Sequence, residues 1–284
     1  MKYAIFTVCA KDLTPESLLR ELKRHGYHGV EWRVTKPAAG DAAKEPYSYW
    51  GNNRCTIDAG TILEQADEIK ALCALHGIEI CALGTYADCT QYEAVTRLLE
   101  AAAKMGCPKI RVNGAQYDGR KPYDELLFAS QAAFARLVPA ARHFGVRMNI
   151  EMHMGLIHPS ASAARRLVDP FDPAVIGVIY DIGNIVTEGF EAYRLGLEIL
   201  GPYLNHIHVK NALLAPNGRY DDGGARFTSR QAPFWEGMAA FSEFNDALKA
   251  VGYDGYLSLE DFCDELSTTE KLEQDIAYLK KIFD

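Results

Sequence analysis

The chain contains no apolar run that approaches the roughly 18 to 20 residues of a membrane-spanning helix. Its first residues, MKYAIFTVCA, lack the basic, apolar and small-residue parts of a secretory signal peptide and pass directly into a strand-like run. We therefore expect a cytoplasmic protein that has no membrane partner.

Positive charge is also scarce. The 284 residues include 30 Lys and Arg against 38 Asp and Glu, which gives a formal net charge of -8. Binding along a nucleic-acid backbone requires many clustered Lys and Arg side chains, so the composition argues against a nucleic-acid partner. Neither GxGxxG after a strand nor GxxxxGKS/T is present, and a phosphorylated substrate therefore has no specific support.

The seven cysteines include no CxxC pair, and their number is odd. Both facts argue against a disulfide framework, so we expect free thiols in a reducing compartment. With 48% hydrophobic, 11% aromatic and 24% charged residues, the chain has the composition of a globular protein with ample material for a core.

Short β-branched apolar runs alternate with helical periodicity along the whole chain. Thr14, Pro15 and Glu16 provide an N-cap, a first-turn proline and an early acid for a helix that ends at Gly26. Further helices are predicted at 58–76, 88–105, 123–144, 160–168, 190–200, 239–251 and 268–283, and strands at 3–8, 29–34, 78–83, 109–113, 146–151, 175–181, 204–210 and 255–260. A polar, glycine-rich loop is expected from Asn211 to Pro233. Eight βα units predict a single (β/α)8 TIM-barrel domain over residues 1–284, with a doubly wound open sheet as the alternative.

Polar residues end four consecutive predicted strands, five to eight. They are Glu151 in MNIE, Asp181 in VIGVIYD, His208 in HIHVK and Glu260 in YLSLE. In a TIM barrel the carboxyl ends of the strands form the active-site face, so these side chains are expected around one half of the barrel mouth. Three carboxylates and one imidazole suit one divalent cation; Mn²⁺ or Mg²⁺ is favoured, and Co²⁺ or Zn²⁺ is allowed.

The alternation of side chains along a strand leaves two choices open. His206 and His208 share a face, so parity cannot decide between them, although His208 lies nearer the end of its strand. Glu260 and Asp261 point to opposite faces, and the sequence gives only a slight preference for Glu260.

Around these residues the sequence resembles the xylose-isomerase-like TIM barrel superfamily, the sugar phosphate isomerase/epimerase group that includes ketose 3-epimerases, inosose dehydratases and abasic-site endonucleases. The motifs NIEMH, IYDIGN, HIHVKN and GYDGYLSLE carry the resemblance, which covers nearly the whole chain. It implies that Glu151, Asp181, His208 and Glu260 bind a single divalent cation. It also implies that Glu151 and Glu260 serve as the catalytic acid and base.

The chemistry implied by the resemblance is α-proton abstraction through a metal-bound enediolate. A cation chelated by a ketose carbonyl and the neighbouring hydroxyl would stabilise that anion by several kcal/mol. One glutamate then removes the proton and the other returns it. Return to the opposite face of the same carbon is epimerisation, and return to the adjacent carbon is isomerisation.

Five further residues are predicted to bind substrate: His153, Asn184, Lys210, Arg226 and Trp235. For His153 a structural role is the alternative, and for Lys210 a solvated or salt-bridged position. Asn184 stands where many family members have His, which weakens assignment as a ketose 3-epimerase and counts against a trinuclear zinc nuclease. Arg226 and Trp235 lie in GGARFTSRQAPFWEG, which replaces the Arg-Pro-Gly loop of ketose epimerases.

Other polar and aromatic residues near strand ends have two interpretations each. Glu31 and Arg33 share a face and either pair with each other or line the pocket. Trp32, Trp50 and Trp235 either stack on a sugar or pack in the core. His158, which precedes Pro159, is interpreted as a loop residue near a helix start.

The sequence therefore predicts a metal-dependent isomerase or epimerase acting on a small sugar or polyol-derived ketone. An inosose-type dehydratase at the same site is the nearest alternative. A metal-dependent abasic-site endonuclease and a non-catalytic sugar-binding barrel are the remaining ones. Barrels of this kind often associate, so a homodimer or a homotetramer is compatible with the sequence.

Overall fold

The computed structural model describes residues 1–37 and 46–284, so part of the predicted loop after the second strand lies outside the described residues. The strands are β1 (Lys2–Phe6), β2 (Gly29–Thr35), β3 (Ile57–Asp58), β4 (Glu79–Thr85), β5 (Lys109–Arg111), β6 (Arg147–Glu151), β7 (Ile176–Asp181), β8 (Leu204–Val209), β9 (Asn211–Arg219), β10 (Ala225–Ala232) and β11 (Tyr256–Leu259). The helices are α1 (Pro15–His25), α2 (Ile62–His76), α3 (Tyr92–Met105), α4 (Tyr123–Phe144), α5 (Ala161–Val168), α6 (Asn184–Thr187), α7 (Tyr193–Leu200), α8 (Phe241–Ala250) and α9 (Thr268–Phe283).

Eight parallel strands close into a barrel. Their order is β1-β2-β4-β5-β6-β7-β8-β11, and closure follows because β1 pairs with both β2 and β11. Helices lie between successive barrel strands. The predicted (β/α)8 TIM barrel is therefore confirmed, and the doubly wound open sheet was wrong.

Local sequence signals set the helix boundaries. Thr14 accepts a hydrogen bond from the Ser17 amide while the Ser17 hydroxyl accepts one from the Thr14 amide, which satisfies two amides at the start of α1. The helix ends at Gly26, whose φ of 78° is a left-handed conformation that glycine adopts without strain. Leu18, Leu19 and Leu22 form the buried face of α1 and pack in the hydrophobic core.

One sequence prediction about this part of the fold was wrong. The segment predicted as a loop from Asn211 to Pro233 contains an antiparallel hairpin of β9 and β10, with Asn211 opposite Ala232. Of the two interpretations of Trp32, packing in the core is confirmed, because Trp32 lies inside β2 and is fully buried. All seven cysteines are free and buried, as predicted. Among the described helices, none has the length and apolar character needed to cross a membrane.

Candidate active site

Four polar side chains from three strand ends and one strand interior converge at the carboxyl end of the barrel. Glu151 ends β6, Asp181 ends β7, His208 lies in β8 and Glu260 directly follows β11. All four are buried, and one potential ligand atom from each lies within 4.8 Å of the others. The structure therefore brings together the four residues that the sequence predicted as metal ligands.

The Nδ1 atom of His208 lies at the centre of this group. It is 2.9 Å from Glu151 Oε1, 3.3 Å from Glu260 Oε1 and 3.8 Å from Asp181 Oδ2. We call these three the inner oxygens. Because four donor atoms of the types that bind divalent cations face one small space, the geometry fits a single ion.

Two basic side chains bond the same carboxylates. Lys210 Nζ donates to Glu260 Oε2 at 2.8 Å and lies 2.7 Å from Asp181 Oδ2. Arg111 Nη1 donates to Glu151 Oε2 at 2.5 Å, on the side away from His208. These pairs hold the outer oxygens of both glutamates, so Oε1 of each is left facing His208. Arg111 was missed by the sequence analysis.

Asp181 is fixed by the chain that follows it. Its Oδ1 atom accepts hydrogen bonds from the amides of Gly183 and Asn184, at 2.9 and 2.8 Å. The Asn184 side-chain amide donates to Asp181 Oδ2 at 2.8 Å and to the Met152 carbonyl at 3.0 Å. Asn184 therefore ties β6 to β7 and orients Asp181, in addition to lining the cavity above them.

A fourth buried carboxylate, Glu31 of β2, lies on the other side of the His208 ring. Glu31 Oε2 lies 3.0 Å from Nε2 of both His206 and His208, and it accepts a hydrogen bond from the Ser258 hydroxyl at 2.7 Å. A carboxylate on Nε2 favours the tautomer whose Nδ1 is free to bind a cation. Both histidines therefore lie on the inward face of β8. His208 is at the level of the inner oxygens, and His206 contacts Glu31.

Glu31, His206 and His208 form a second buried group in which one potential ligand atom from each residue lies within 4.8 Å of the others. Glu31 already has three bonding partners there: His206, His208 and the Ser258 hydroxyl. We therefore interpret Glu31 as the hydrogen-bond partner that orients His208. Neither interpretation of Glu31 and Arg33 is supported: Arg33 donates to the Thr56 hydroxyl and the Trp50 carbonyl, and neither residue is among the described residues that line the cavity.

The electrostatics of the group follow from burial and from these pairs. Burial opposes ionisation of Glu151, but Arg111 and His208 outweigh it and hold its pKa well below the ordinary value. Burial also opposes the charge on His208, but the surrounding carboxylates, Glu31 foremost, raise its pKa well above the ordinary value. For Asp181 burial dominates and raises the pKa to about 6, with Lys210 acting against it.

A cavity of about 740 Å³ opens above these residues. Its floor includes Glu151, Glu260, Lys210 and Asn184, and its wall includes His153. His153 is partly buried, and its Nδ1 atom bonds the Met154 carbonyl at 2.8 Å. The structure therefore places three of the five predicted substrate-binding residues, His153, Asn184 and Lys210, in the cavity lining.

The other two predicted substrate-binding residues lie elsewhere. Arg226 is exposed on β10, where its guanidinium is 5.9 Å from the ring centroid of Tyr220. Trp235 packs edge-on against Tyr278 of α9, with ring centroids 6.0 Å apart. The hairpin instead contributes Gln231 to the cavity lining. A substrate contact by Arg226 or Trp235 has no support in this arrangement.

His158 has a structural position that the sequence did not reveal. It is fully buried, its Nδ1 lies 2.9 Å from the Glu151 carbonyl, and its Nε2 accepts from the Gly114 amide at 3.0 Å. Because an acceptor is needed at Nε2, the imidazole is neutral with its proton on Nδ1. His158 thus fixes the backbone at Glu151.

Residues 19–282 match the family model described as "Xylose isomerase-like TIM barrel". The chain belongs to this family. The resemblance predicted from the four motifs is thereby confirmed.

Similar proteins are known among curated sequences and solved structures. This xylose isomerase-like barrel is 25% identical over 133 residues to an inosose dehydratase of Geobacillus thermodenitrificans, a match that covers 44% of this chain and 43% of that protein. The chain spans less than half the length of the curated relatives it matches.

Two solved structures share the fold over almost the entire chain. The 3-keto-D-glucoside 4-epimerase YcjR from E. coli has a TM-score of 0.73 at 16% identity, with 99% of both chains covered. The IOLI protein, solved with a bound zinc atom, has a TM-score of 0.74 at 16% identity, with both chains covered completely. At these identities the likeness establishes the fold.

Proposed function

We propose that this protein is a divalent-metal-dependent isomerase or epimerase that acts on a small sugar or polyol-derived ketone. The observation that carries the proposal is the convergence of Glu151, Asp181, Glu260 and His208 around one ion-sized space at the floor of a cavity. A divalent cation bound there supplies Lewis acidity, which stabilises negative charge on substrate oxygens.

The donor atoms fit such a cation on two counts. The inner oxygens and His208 Nδ1 are the oxygen and nitrogen ligands that Mn²⁺, Mg²⁺ and Zn²⁺ accept. Glu31 holds the opposite nitrogen of the imidazole, as a carboxylate commonly does for a metal-binding histidine. Mn²⁺ or Mg²⁺ remains our proposal for the ion, although the solved IOLI structure holds zinc.

The proton-transfer roles belong to the two glutamates. Arg111 and Lys210 fix their outer oxygens, so each glutamate presents Oε1 to the space above His208. Glu151 ends β6 and Glu260 follows β11, so the two approach from different strands. One removes the proton next to the substrate carbonyl and the other returns it. Lys210 Nζ places a fixed positive charge where the substrate anion forms.

An inosose-type dehydratase is the second candidate, favoured by the sequence match to a protein of that name. One of the two glutamates would again remove the α-proton, and the hydroxyl on the next carbon would leave as water. His153 lines the cavity two residues beyond Glu151 and is the candidate to protonate that leaving hydroxyl.

Deuterium exchange tests the proposal and separates the two candidates. The Mn²⁺-loaded protein would be incubated in D₂O with a panel of ketoses and inososes, and carbon-bound deuterium measured by NMR and mass spectrometry. Deuterium gain with retention of all substrate oxygens supports the isomerase or epimerase. Loss of water together with a new ultraviolet absorbance identifies the dehydratase. Ligand binding without either change would contradict both and leave a non-catalytic sugar-binding barrel.

A further inference from the structure

Aromatic side chains line one side of the cavity. Phe6 ends β1, Trp50 lies between β2 and β3, Tyr86 directly follows β4 and Phe262 follows β11. The strands β11, β1, β2 and β4 are neighbours in the barrel. We call these four residues the aromatic side. Glu151 and Glu260 also line the cavity, and we call these two residues, together with the buried Asp181 and His208 grouped with them, the carboxylate side. The cavity is therefore divided between apolar rings and charged groups.

Within the aromatic side, the rings differ in their access to water. Phe262 is 9% exposed, whereas Trp50 is 58% exposed. The Trp50 ring packs against Phe262 with centroids 4.9 Å apart and edge-on against Tyr49 at 5.7 Å. Arg33 Nη2 donates to the Trp50 carbonyl at 2.7 Å. Trp50 is thus held by its backbone and by two rings, yet most of its indole surface remains open.

The aromatic side also leads outward from the proposed reaction centre. Lys210 Nζ, which contacts Asp181 and Glu260, lies 5.6 Å from the ring centroid of Phe262. Trp50 is the next ring beyond Phe262. A sugar ring that reacts beside Lys210 would contact Phe262, and a group attached to its outer end would reach Trp50.

The size of the cavity agrees with a substrate of more than one ring. At about 740 Å³ it lies well within the roughly 300 to 1,000 Å³ of sites that enclose drug-sized ligands. A single small ketose would leave much of this volume, including the space beside Trp50, filled with water. The C–H face of a second sugar ring would instead cover the open indole and remove apolar area from water.

We propose that Trp50 is the platform of a second sugar subsite, and that the substrate is a keto-sugar carrying a glycosidically linked sugar ring. This inference rests on the proposed function for the identity of the reacting ring. It adds the substrate class: the ring that reacts lies over Lys210 and Phe262, and the ring that does not react stacks on Trp50.

Binding of matched sugars to the full-length metal-loaded protein tests the subsite. D-fructose would be compared with turanose and palatinose, ketoses that carry one additional glucosyl ring, by isothermal titration calorimetry. We expect the wild-type protein to bind at least one disaccharide about tenfold more tightly than fructose. Trp50→Ala should remove that advantage and leave the fructose affinity unchanged. Phe128→Ala, an exposed aromatic of α4 outside the cavity lining, is the control and should alter neither affinity.

Equal affinities for fructose and both disaccharides in the wild-type protein would overturn the inference. An equal loss of fructose and disaccharide affinity in Trp50→Ala would also overturn it, because Trp50 would then belong to the site of the reacting ring. Tighter binding of phenyl glucoside than of either disaccharide would overturn it as well, because the subsite at Trp50 would then accept an aromatic group rather than a second sugar. Failure of the proposed function can be distinguished from failure of this inference. In that case deuterium exchange would be absent while the Trp50-dependent difference in affinity persisted.

Discussion

The two sides of the cavity differ in how fully their side chains are held. On the carboxylate side every member is buried and bonded to at least one charged partner, and Arg111, Lys210 and Glu31 each support this arrangement. On the aromatic side Trp50 and Tyr86 are 58% and 45% exposed. The carboxylate side is thus held in place by its own bonds, whereas Trp50 and Tyr86 on the aromatic side leave much of their ring surface open to a ligand.

The largest effect is expected from Glu151→Gln on the carboxylate side. This change keeps the shape of the side chain but removes its capacity to accept a proton, so α-proton exchange should fall by about 10²- to 10⁴-fold. Circular dichroism should report an unchanged fold. Exchange would be measured by NMR in D₂O.

Glu79→Gln is the matched control, because Glu79 is an exposed carboxylate on β4 that bonds Lys2. It should retain the parental rate of exchange. Near-parental turnover by Glu151→Gln would mean that Glu151 is not the acid or base.

Acidic pH is expected to destabilise the fold through His158, which bonds the backbone at Glu151. Burial lowers the pKa of His158 to about 4. The unfolded chain, with a histidine pKa near 6.5, therefore takes up a proton first as the pH falls. The stability that neutral His158 contributes is present above about pH 6.5 and is lost towards pH 4, by at most about 3 kcal/mol.

His158→Gln should reduce this acid sensitivity, because glutamine can bridge the Glu151 carbonyl and the Gly114 amide without titrating. Urea unfolding at several pH values between 7 and 4 would measure it, with the exposed His143→Gln as control. Part of the loss should remain in the variant, since burial also lowers the pKa of His206 to about 4. Parallel stability profiles for wild type and His158→Gln would contradict the assigned role.

A smaller effect is expected from Glu31→Gln, which keeps a hydrogen-bond acceptor near His208 but removes the charge. Loss of such a partner typically weakens metal binding by about tenfold to a hundredfold. Titration with Mn²⁺, followed by electron paramagnetic resonance, would give the dissociation constant directly.

Asp261→Asn provides the comparison for Glu31→Gln. Asp261 is also a buried carboxylate, but it accepts a hydrogen bond from the Cys263 amide. The Mn²⁺ affinity of the Asp261→Asn variant should stay at the wild-type value. Equal affinities for wild type and Glu31→Gln would show that Glu31 has no influence on the metal site.

The carboxylate side was largely predictable because its members follow a local rule. Glu151 and Asp181 each end an apolar strand, and Glu260 directly follows one, so the barrel geometry brings them together. The choice of Glu260 over Asp261 was a slight preference, and the structure has Glu260 facing Lys210 while Asp261 bonds Cys263. Strand order alone thus determines most of this half of the site.

What the sequence did not reveal depends on contacts between distant segments. Glu31 meets His206 and His208 across the barrel, 175 and 177 residues away along the chain. Arg111 ends a strand of only three residues, where a terminal arginine has no distinctive pattern. Its position at a strand end was the one available signal.

The hairpin of β9 and β10 did carry a local signal. Residues Asp222, Gly223 and Gly224 form a turn-type sequence between two segments, and β10 alternates polar and apolar side chains over part of its length. The overall polarity of the region favoured a loop instead. Because both strands are mostly exposed, no buried face was available to mark them as strands.

The most direct test of the proposed metal site is anomalous X-ray diffraction from a crystal soaked in Mn²⁺ or Zn²⁺. We expect one ion at about 2.0 to 2.2 Å from His208 Nδ1 and from a carboxylate oxygen of Glu151, Asp181 and Glu260. We also expect His208 Nε2 still to face Glu31. An ion bound between Glu31 and His206 instead, or no ion within reach of these four side chains, would contradict it.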